Sequence, residues 1–452
     1  MGDLNKKNIN YGALNRFYQD LKSHDLSDLN DRINNIDLSG VYNLIYTLHP
    51  NADYLNFSAN LPNTKVRLVL YSNYGDVPST PIDIDYSFDR INWTHYTVGN
   101  DIIIPTDGKV YLRGNNDYFS VYDYVNNDDI LYYHHFEFEN VSEKKLYVEA
   151  HGNINSLLSK TNWNGITALP EYCYESMFQR CTSLTTAPAL PATTLTNECY
   201  GYMFQNCGSL RTAPELPATT LASKCYKGMF QSCRSLTTAP KLPATTLADY
   251  CYNNMFYGCS RLTTAPELPA TTLAINCYEG MFYGCTSLTT APTLPATTLE
   301  GGCYVNMFKD CSSLTTAPEL PATTLAFMCY ENMFSGCRSL TTAPELPATT
   351  LERACYKHMF NGCSSLTTAP ALPATTLTIW CYRNMFYGCS NLNYIKCLAT
   401  NISASKCTDN WVSGVASIGT FVKATNMTGW TTGVNGIPSG WTVEDYTEPM
   451  AK

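Results

Sequence analysis

Positive charge is scarce and scattered in this 452-residue chain. Lys and Arg number 29 against 38 Asp and Glu, for a formal net charge of -9, and no basic cluster stands out. Neutralising a phosphate backbone needs clustered cations, so nucleic acid is excluded as an expected partner. Long apolar runs are also missing: no stretch of about 18 apolar residues occurs, so no membrane-spanning helix is expected. The opening Met-Gly-Asp-Leu-Asn-Lys-Lys-Asn carries no apolar signal core, which predicts synthesis without a secretory leader. The seven histidines are scattered, and Gly-x-Ser-x-Gly and Cys-x-x-Cys are both absent. Those absences remove the usual nucleophile and zinc motifs, so neither catalysis nor a cofactor nor a metal is expected.

What the chain does have is cysteine in strict order. Cys173, Cys199, Cys225, Cys251, Cys277, Cys303, Cys329, Cys355 and Cys381 recur every 26 residues, each followed eight residues later by another, from Cys181 to Cys389. Each unit reads Cys-Tyr-x-x-Met-Phe-x-x-Cys-x-Ser-Leu-Thr-Thr-Ala-Pro-x-Leu-Pro-Ala-Thr-Thr-Leu-x-x-x, a period typical of leucine-rich repeats. Cys199, Met203 and Cys207, with Tyr200 and Phe204 beside them, form i, i+4 rows that predict a short amphipathic helix. The Ser-Leu-Thr-Thr-Ala stretch predicts a strand, ended by Pro214 and Pro217. One coil cannot bury its own stripe, so a core requires stacked coils. The fold class expected is α+β: a leucine-rich-repeat solenoid of 26-residue coils, preceded by an antiparallel β-sandwich and a short helical segment.

The last coil tests what the thiols do. The register continues to Cys407, but Met385, Phe386 and Cys389 are succeeded by Trp411, Val412 and Val415. Valine can replace a small buried apolar group but not a disulfide partner or metal ligand. If the segment is helical, cysteines eight apart lie about 12 Å apart, too far to bridge. Buried free thiols are the favoured reading, with disulfides between coils as the alternative.

The unit Cys-Tyr-Glu-Gly-Met-Phe-Tyr-Gly-Cys-Thr-Ser-Leu-Thr-Thr-Ala at 277–291 resembles the BspA-like leucine-rich repeat, and the resemblance covers roughly residues 165–415. It implies a solenoid fold and a binding role. Such repeats occur in bacterial surface adhesins and in phage of gut Bacteroidetes. The closing segment, from Gly-Thr-Phe-Val-Lys at 419–423 to Gly-Ile-Pro-Ser-Gly-Trp-Thr-Val at 436–443, resembles the end of such arrays and predicts a capping strand pair.

At the front, Tyr11, Leu14, Phe17 and Leu21 fall at helical spacing, and Leu26, Leu29, Ile33 and Ile36 follow a coiled-coil a/d pattern. Two heptads are marginal alone, so this is either an oligomer neck, with a trimer expected, or a hook that docks on a larger partner. Residues 9–17 resemble the virion-attachment end of phage fibre proteins, which implies other virion proteins as partners. Alternating segments such as Lys65–Tyr71, Val110–Arg113 and His135–Glu139 predict the sandwich. The domains expected are 1–38 for the helical attachment segment, 39–152 for the sandwich, 153–415 for the solenoid and 416–452 for the cap. Asp83, Asp85 and Asp89 hint at a calcium loop but lack its glycine and terminal glutamate. The column Glu215, Lys241, Glu267, Thr293, Glu319 and Glu345 reads as a solvated face.

The coils differ most just before the first cysteine. That position holds Glu198, Lys224, Tyr250, Asn276, Gly302, Met328, Ala354 and Trp380, and the one before it varies from Asn197 to Phe327, Arg353 and Ile379. Stacking would align these residues in a strip, with Tyr250, Phe327, Met328, Arg353, Ile379 and Trp380 as the candidate ligand contacts. They are either a binding strip or loop residues drifting without constraint. The function expected is a phage virion protein, a head or tail fibre held by its N-terminus, that recognises a host-surface glycan or protein. A bacterial surface adhesin is the runner-up, and a glycan depolymerase comes third.

Overall fold

The computed structural model of the protein describes residues 53–72, 82–125 and 128–447. The expected helical segment, Tyr11 to Ile36, lies outside them. Among the described residues thirteen strands occur in chain order, and the only helices are two single-turn 3₁₀ segments, Ile154–Leu157 and Trp163–Gly165. No described helix is long and apolar enough to cross a membrane.

The helix expected in every coil is absent, and the backbone shows why. In the coil beginning at Cys199, the N–H groups of Glu198, Tyr200, Tyr202, Phe204 and Asn206 donate to carbonyls of Ser223, Cys225, Lys227, Met229 and Gln231 in the next coil at 2.8–3.1 Å. The alternate N–H groups of Gly201, Met203, Gln205 and Cys207 donate three residues back at 2.9–3.3 Å. An α-helix would keep all of these bonds inside the coil. Here half of them cross, and every fourth residue is left-handed: Glu198 at φ 53, Tyr202 at φ 52 and Asn206 at φ 62. A four-residue turn ladder aims i, i+4 and i+8 inward as well as a helix does. Cys199, Tyr200, Met203, Phe204 and Cys207 accordingly have no exposed surface.

Stacking repeats these contacts down the body. The tyrosine rings from Tyr200 to Tyr356 stack at 5.7–5.9 Å, and the phenylalanine rings from Phe204 to Phe386 at 5.6–5.8 Å. All twenty cysteines are free and buried. The second thiol of a coil donates to the phenylalanine carbonyl of the coil before, as Cys233 Sγ does to Phe204 O at 3.0 Å. On the other flank the Leu-Thr-Thr segments are mostly single parallel bridges, such as Thr238 to Thr264 to Thr290. The expected strand therefore shrinks to about one residue pair in most coils.

The front of the protein consists of two open sheets. Strands β1 (Leu55–Ala59), β3 (Ile84–Ser87), β4 (Thr94–His95), β6 (Val110–Gly114), β9 (Val148–His151) and β10 (Leu184–Thr186) form one, in the order β10-β9-β1-β6-β3-β4. Strands β2 (Lys65–Ser72), β5 (Ile102–Ile103), β7 (Ser120–Val125) and β8 (Asp128–Glu139) form the other, ordered β5-β2-β8-β7. Period-2 burial holds in β2, where Val66 and Leu68 point inward while Arg67 reaches Asp101 at 2.7 Å outside. The sheets meet where Phe57 packs on Phe136 at 4.9 Å. They do not make the self-contained sandwich expected. β10 belongs to the first coil and pairs in parallel with β9, and one buried cluster runs from Leu55 through the coils to Trp441.

Two phenylalanines of this front part stand in for a missing coil. Phe119 N–H donates to Cys173 O at 3.0 Å and Phe136 N–H to Met177 O at 2.9 Å, the bonds a preceding Tyr and Phe would make. Their rings stack on Tyr174 at 6.0 Å and Phe178 at 5.3 Å, and Cys181 Sγ donates to Phe136 O at 2.9 Å. At the other end Trp411 lies under both Tyr382 and Phe386, at 6.1 and 6.2 Å, and Trp430 covers it at 5.5 Å. The closing strands β12 (Thr420–Ala424) and β13 (Thr442–Tyr446) pair in parallel onto β11 (Tyr394–Cys397). Val412 is buried and Val415 half-buried against the core.

Glu175 lies at the joint between the front part and the first coil. It is 1 % exposed, and neither carboxylate oxygen has a hydrogen-bond partner. The next coil offers Gly201 at the matching position, with no side chain to meet it. Burial, then the nearby Glu198, pushes its carboxyl up to about 8. A carboxyl raised in the folded state keeps its full stability below the unfolded value near 4.5 and loses it as pH climbs toward 8. Glu175→Gln is therefore expected to gain thermal stability relative to the parent as pH goes from 4.5 to 8, with the gap smallest at pH 4. A gap independent of pH would contradict this. The thiols are expected to resist a thiol reagent in the native protein, to react in number after denaturation, and to leave the melting temperature unchanged under mild reduction.

Candidate binding surface

The variable position before the first cysteine is one of three left-handed columns in the turn ladder. Taken from Ser176 to Asn410, the second column holds Gly or Asn in seven of ten coils, and so does the third, from Arg180 to Gly414. These are the residues that tolerate φ > 0. The first column, from Tyr172 to Lys406, has only Asn276 and Gly302 of that kind among its ten. Tyr250 at φ 56, Met328 at φ 57 and Trp380 at φ 61 adopt a conformation that costs a bulky residue about 1–2 kcal/mol. Drift under a backbone constraint would lead to Gly and Asn, as in the neighbouring columns. The first column departs from both neighbours in keeping larger side chains at φ > 0.

The strip residues do not all come together. Phe327 and Ile379 are each 44 % exposed and Arg353 is exposed, while Met328 and Trp380 are half-buried. Arg353 bridges three coils, with its guanidinium carbon 5.4 Å from the Phe327 ring centroid and 4.5 Å from that of Trp380. Met328 N–H donates to Arg353 O at 3.1 Å and Ala354 N–H to Ile379 O at 3.0 Å, which fixes the neighbours beside them. Tyr250 stands three coils before Met328. Its N–H donates to the carbonyl of Ile275, which is 46 % exposed. It thus marks a separate spot rather than part of the same cluster.

The surface also contains ion pairs between coils, one of them within the variable column itself. Glu331 holds Lys357 at 2.7 Å and Glu198 holds Lys224 at 2.7 Å, and Lys357 Nζ lies 6.0 Å from the Trp380 ring centroid. The signal available was opposite charges one 26-residue period apart. His358 sits between Asn361 and Asn384 at 3.2 and 3.3 Å, and its imidazole is pushed down to about 4. Burial is the main cause, followed by the charges of Lys357, Arg383 and Lys309.

Other candidate chemistry is already occupied. Asp83, Asp85 and His95 could converge on an ion, but the Lys160 ammonium sits on both carboxylates at 2.8 and 3.0 Å. Asp89 is exposed and instead accepts the N–H groups of Ile91 and Asn92 in a turn; against a small loss of solvation, the backbone and side-chain hydrogen bonds from Asn92, with those from Ile91 and Ser87, take its carboxyl down to about 2. The Glu215 to Glu345 column is exposed at every position, as a solvated face should be.

Six copies of the BspA type leucine rich repeat region match residues 155–289, 203–341 and 304–408, together spanning more than half of the chain. The chain belongs to the BspA-type leucine-rich-repeat family. That family is a repeat family, not an enzymatic one. A leucine-rich repeat protein of known crystal structure from Bacteroides ovatus is similar over 73% of this chain and 98% of its own, at 15% identity and a TM-score of 0.34. None of the curated proteins matches. BspA-type repeats suggest a surface adhesion or recognition role.

The strain in the first column can be gauged at Lys406, the last member of that column, which is exposed at φ 51 one coil after Trp380. Lys406→Gly is expected to raise stability by about 1 kcal/mol in denaturant unfolding, because glycine occupies this conformation without strain. A loss of stability would contradict the strain argument.

Proposed function

We propose that this BspA-type protein is a non-enzymatic recognition protein whose solenoid flank, centred on Phe327, Arg353 and Trp380, contacts a host cell surface. The observation that carries the reading is the first left-handed column, which keeps bulky side chains against a backbone preference that its two neighbouring columns obey. Exposed aromatic and Arg side chains in one place are the usual makings of a contact site. The partner is a host-surface glycan or protein, and several copies on one particle add weak contacts into firm attachment through effective concentration.

The finer reading is a head or tail fibre of a virion, held as a trimer by residues 1–38 on other virion proteins. It rests on the likeness of residues 9–17 to virion-attachment ends. The family itself equally favours a bacterial surface adhesin, and co-purification with intact virions separates the two. Trp380→Ala combined with Phe327→Ala is expected to weaken attachment to host cells about tenfold or more with the fold intact by circular dichroism. Attachment equal to that of the parent would remove the flank as the ligand face.

A further inference from the structure

Arg353 is held but not satisfied. Its guanidinium lies near the rings of Phe327, one coil before, and Trp380, one coil after. Rings near the planar group restrict its rotamers while leaving its N–H edges free to bind. Among the described residues it has no hydrogen-bond or ion-pair partner for its side chain. Glu352, its neighbour in sequence, offers only its backbone carbonyl, to the Thr378 hydroxyl at 2.9 Å. Glu331 is engaged by Lys357. Lys357 and Arg383 nearby are paired with Glu331 and Asp409, at 2.7 and 3.3 Å, whereas Arg353 faces no carboxylate among the described residues.

On the reading that this flank is the ligand face, we propose that the Phe327, Arg353 and Trp380 cluster binds the carboxylate or sulfate of an acidic glycan. The oxyanion takes the free edge of Arg353 in two parallel hydrogen bonds, the geometry a guanidinium fork favours. The C–H face of the sugar that bears it lies on Trp380 and Ile379. The footprint argues for a sugar over a protein: three coils at about 4.8 Å each span only about 14 Å. A protein interface of ordinary size needs on the order of 800 Å² per partner.

The test is a panel of matched oligosaccharides presented to the full chain: galacturonate against galactose, glucuronate against glucose, sulfated against unsulfated galactose, and sialylated against unsialylated lactose. Binding is expected to one or more acidic members and to none of their neutral counterparts. Arg353→Gln is expected to lower that affinity at least tenfold. Arg353→Lys, which keeps the charge and loses the fork, is expected to lower it at least fivefold. Unfolding midpoints should stay at the parent value, since the Arg353 side chain lies outside the core. Equal binding to acidic and neutral members, no binding to any acidic member, or indifference to Arg353→Gln overturns the oxyanion assignment. None of these outcomes touches the double-alanine attachment test, on which the flank itself stands or falls.

Discussion

The constraint on which the rest depends is that every second backbone N–H of the turn segment leaves its own coil and bonds to the next. That exchange makes the coils inseparable. A lone unit would leave about five donors unmet on one side and five acceptors on the other, beside a dry stripe of thiols and rings with nothing to cover it. Neighbouring coils satisfy both needs at once, and stacked tyrosine and phenylalanine columns add roughly 0.5–1.5 kcal/mol for each ring pair.

The same constraint explains the two ends. A row of unpaired carbonyls faces the front of the protein, and Phe119 and Phe136 meet it with the donors and rings of an imitated coil. At the far end Trp411 closes both ring columns with one bicyclic side chain, and its indole N–H finds Gly436 O at 2.8 Å. The front sheets are thus a lid on the solenoid as much as a structure in their own right. The buried, unpaired Glu175 lies at that joint, where a front part that is not a true coil meets the first one.

Period and buried stripe were legible in the residues, because a strict 26-residue spacing of Cys, Tyr, Met and Phe admits little besides stacked coils. The helix was misread because four-residue spacing suits a helix and a turn ladder alike. The deciding signs were Asn254 with Gly258 and Asn332 with Gly336, left-handed formers four apart where a helix would not favour them. The candidate strip was legible as variation at one register. The pairing of Phe327 with Arg353 and Trp380 was not, since it depends on side-chain reach across three coils. Phe119 and Phe136 as coil mimics were invisible too, lying in a part of the chain that shares no repeat with what it covers.

Because each coil presents the same donors ahead and the same acceptors behind, its junctions are interchangeable. Whole 26-residue units can be gained or lost by unequal recombination, while both end pieces still find the partners they were built for. The surface can lengthen or trade one left-handed side chain for another without a new core having to be invented. A scaffold of this kind lets its outer flank diversify while the thiols and rings inside are held constant.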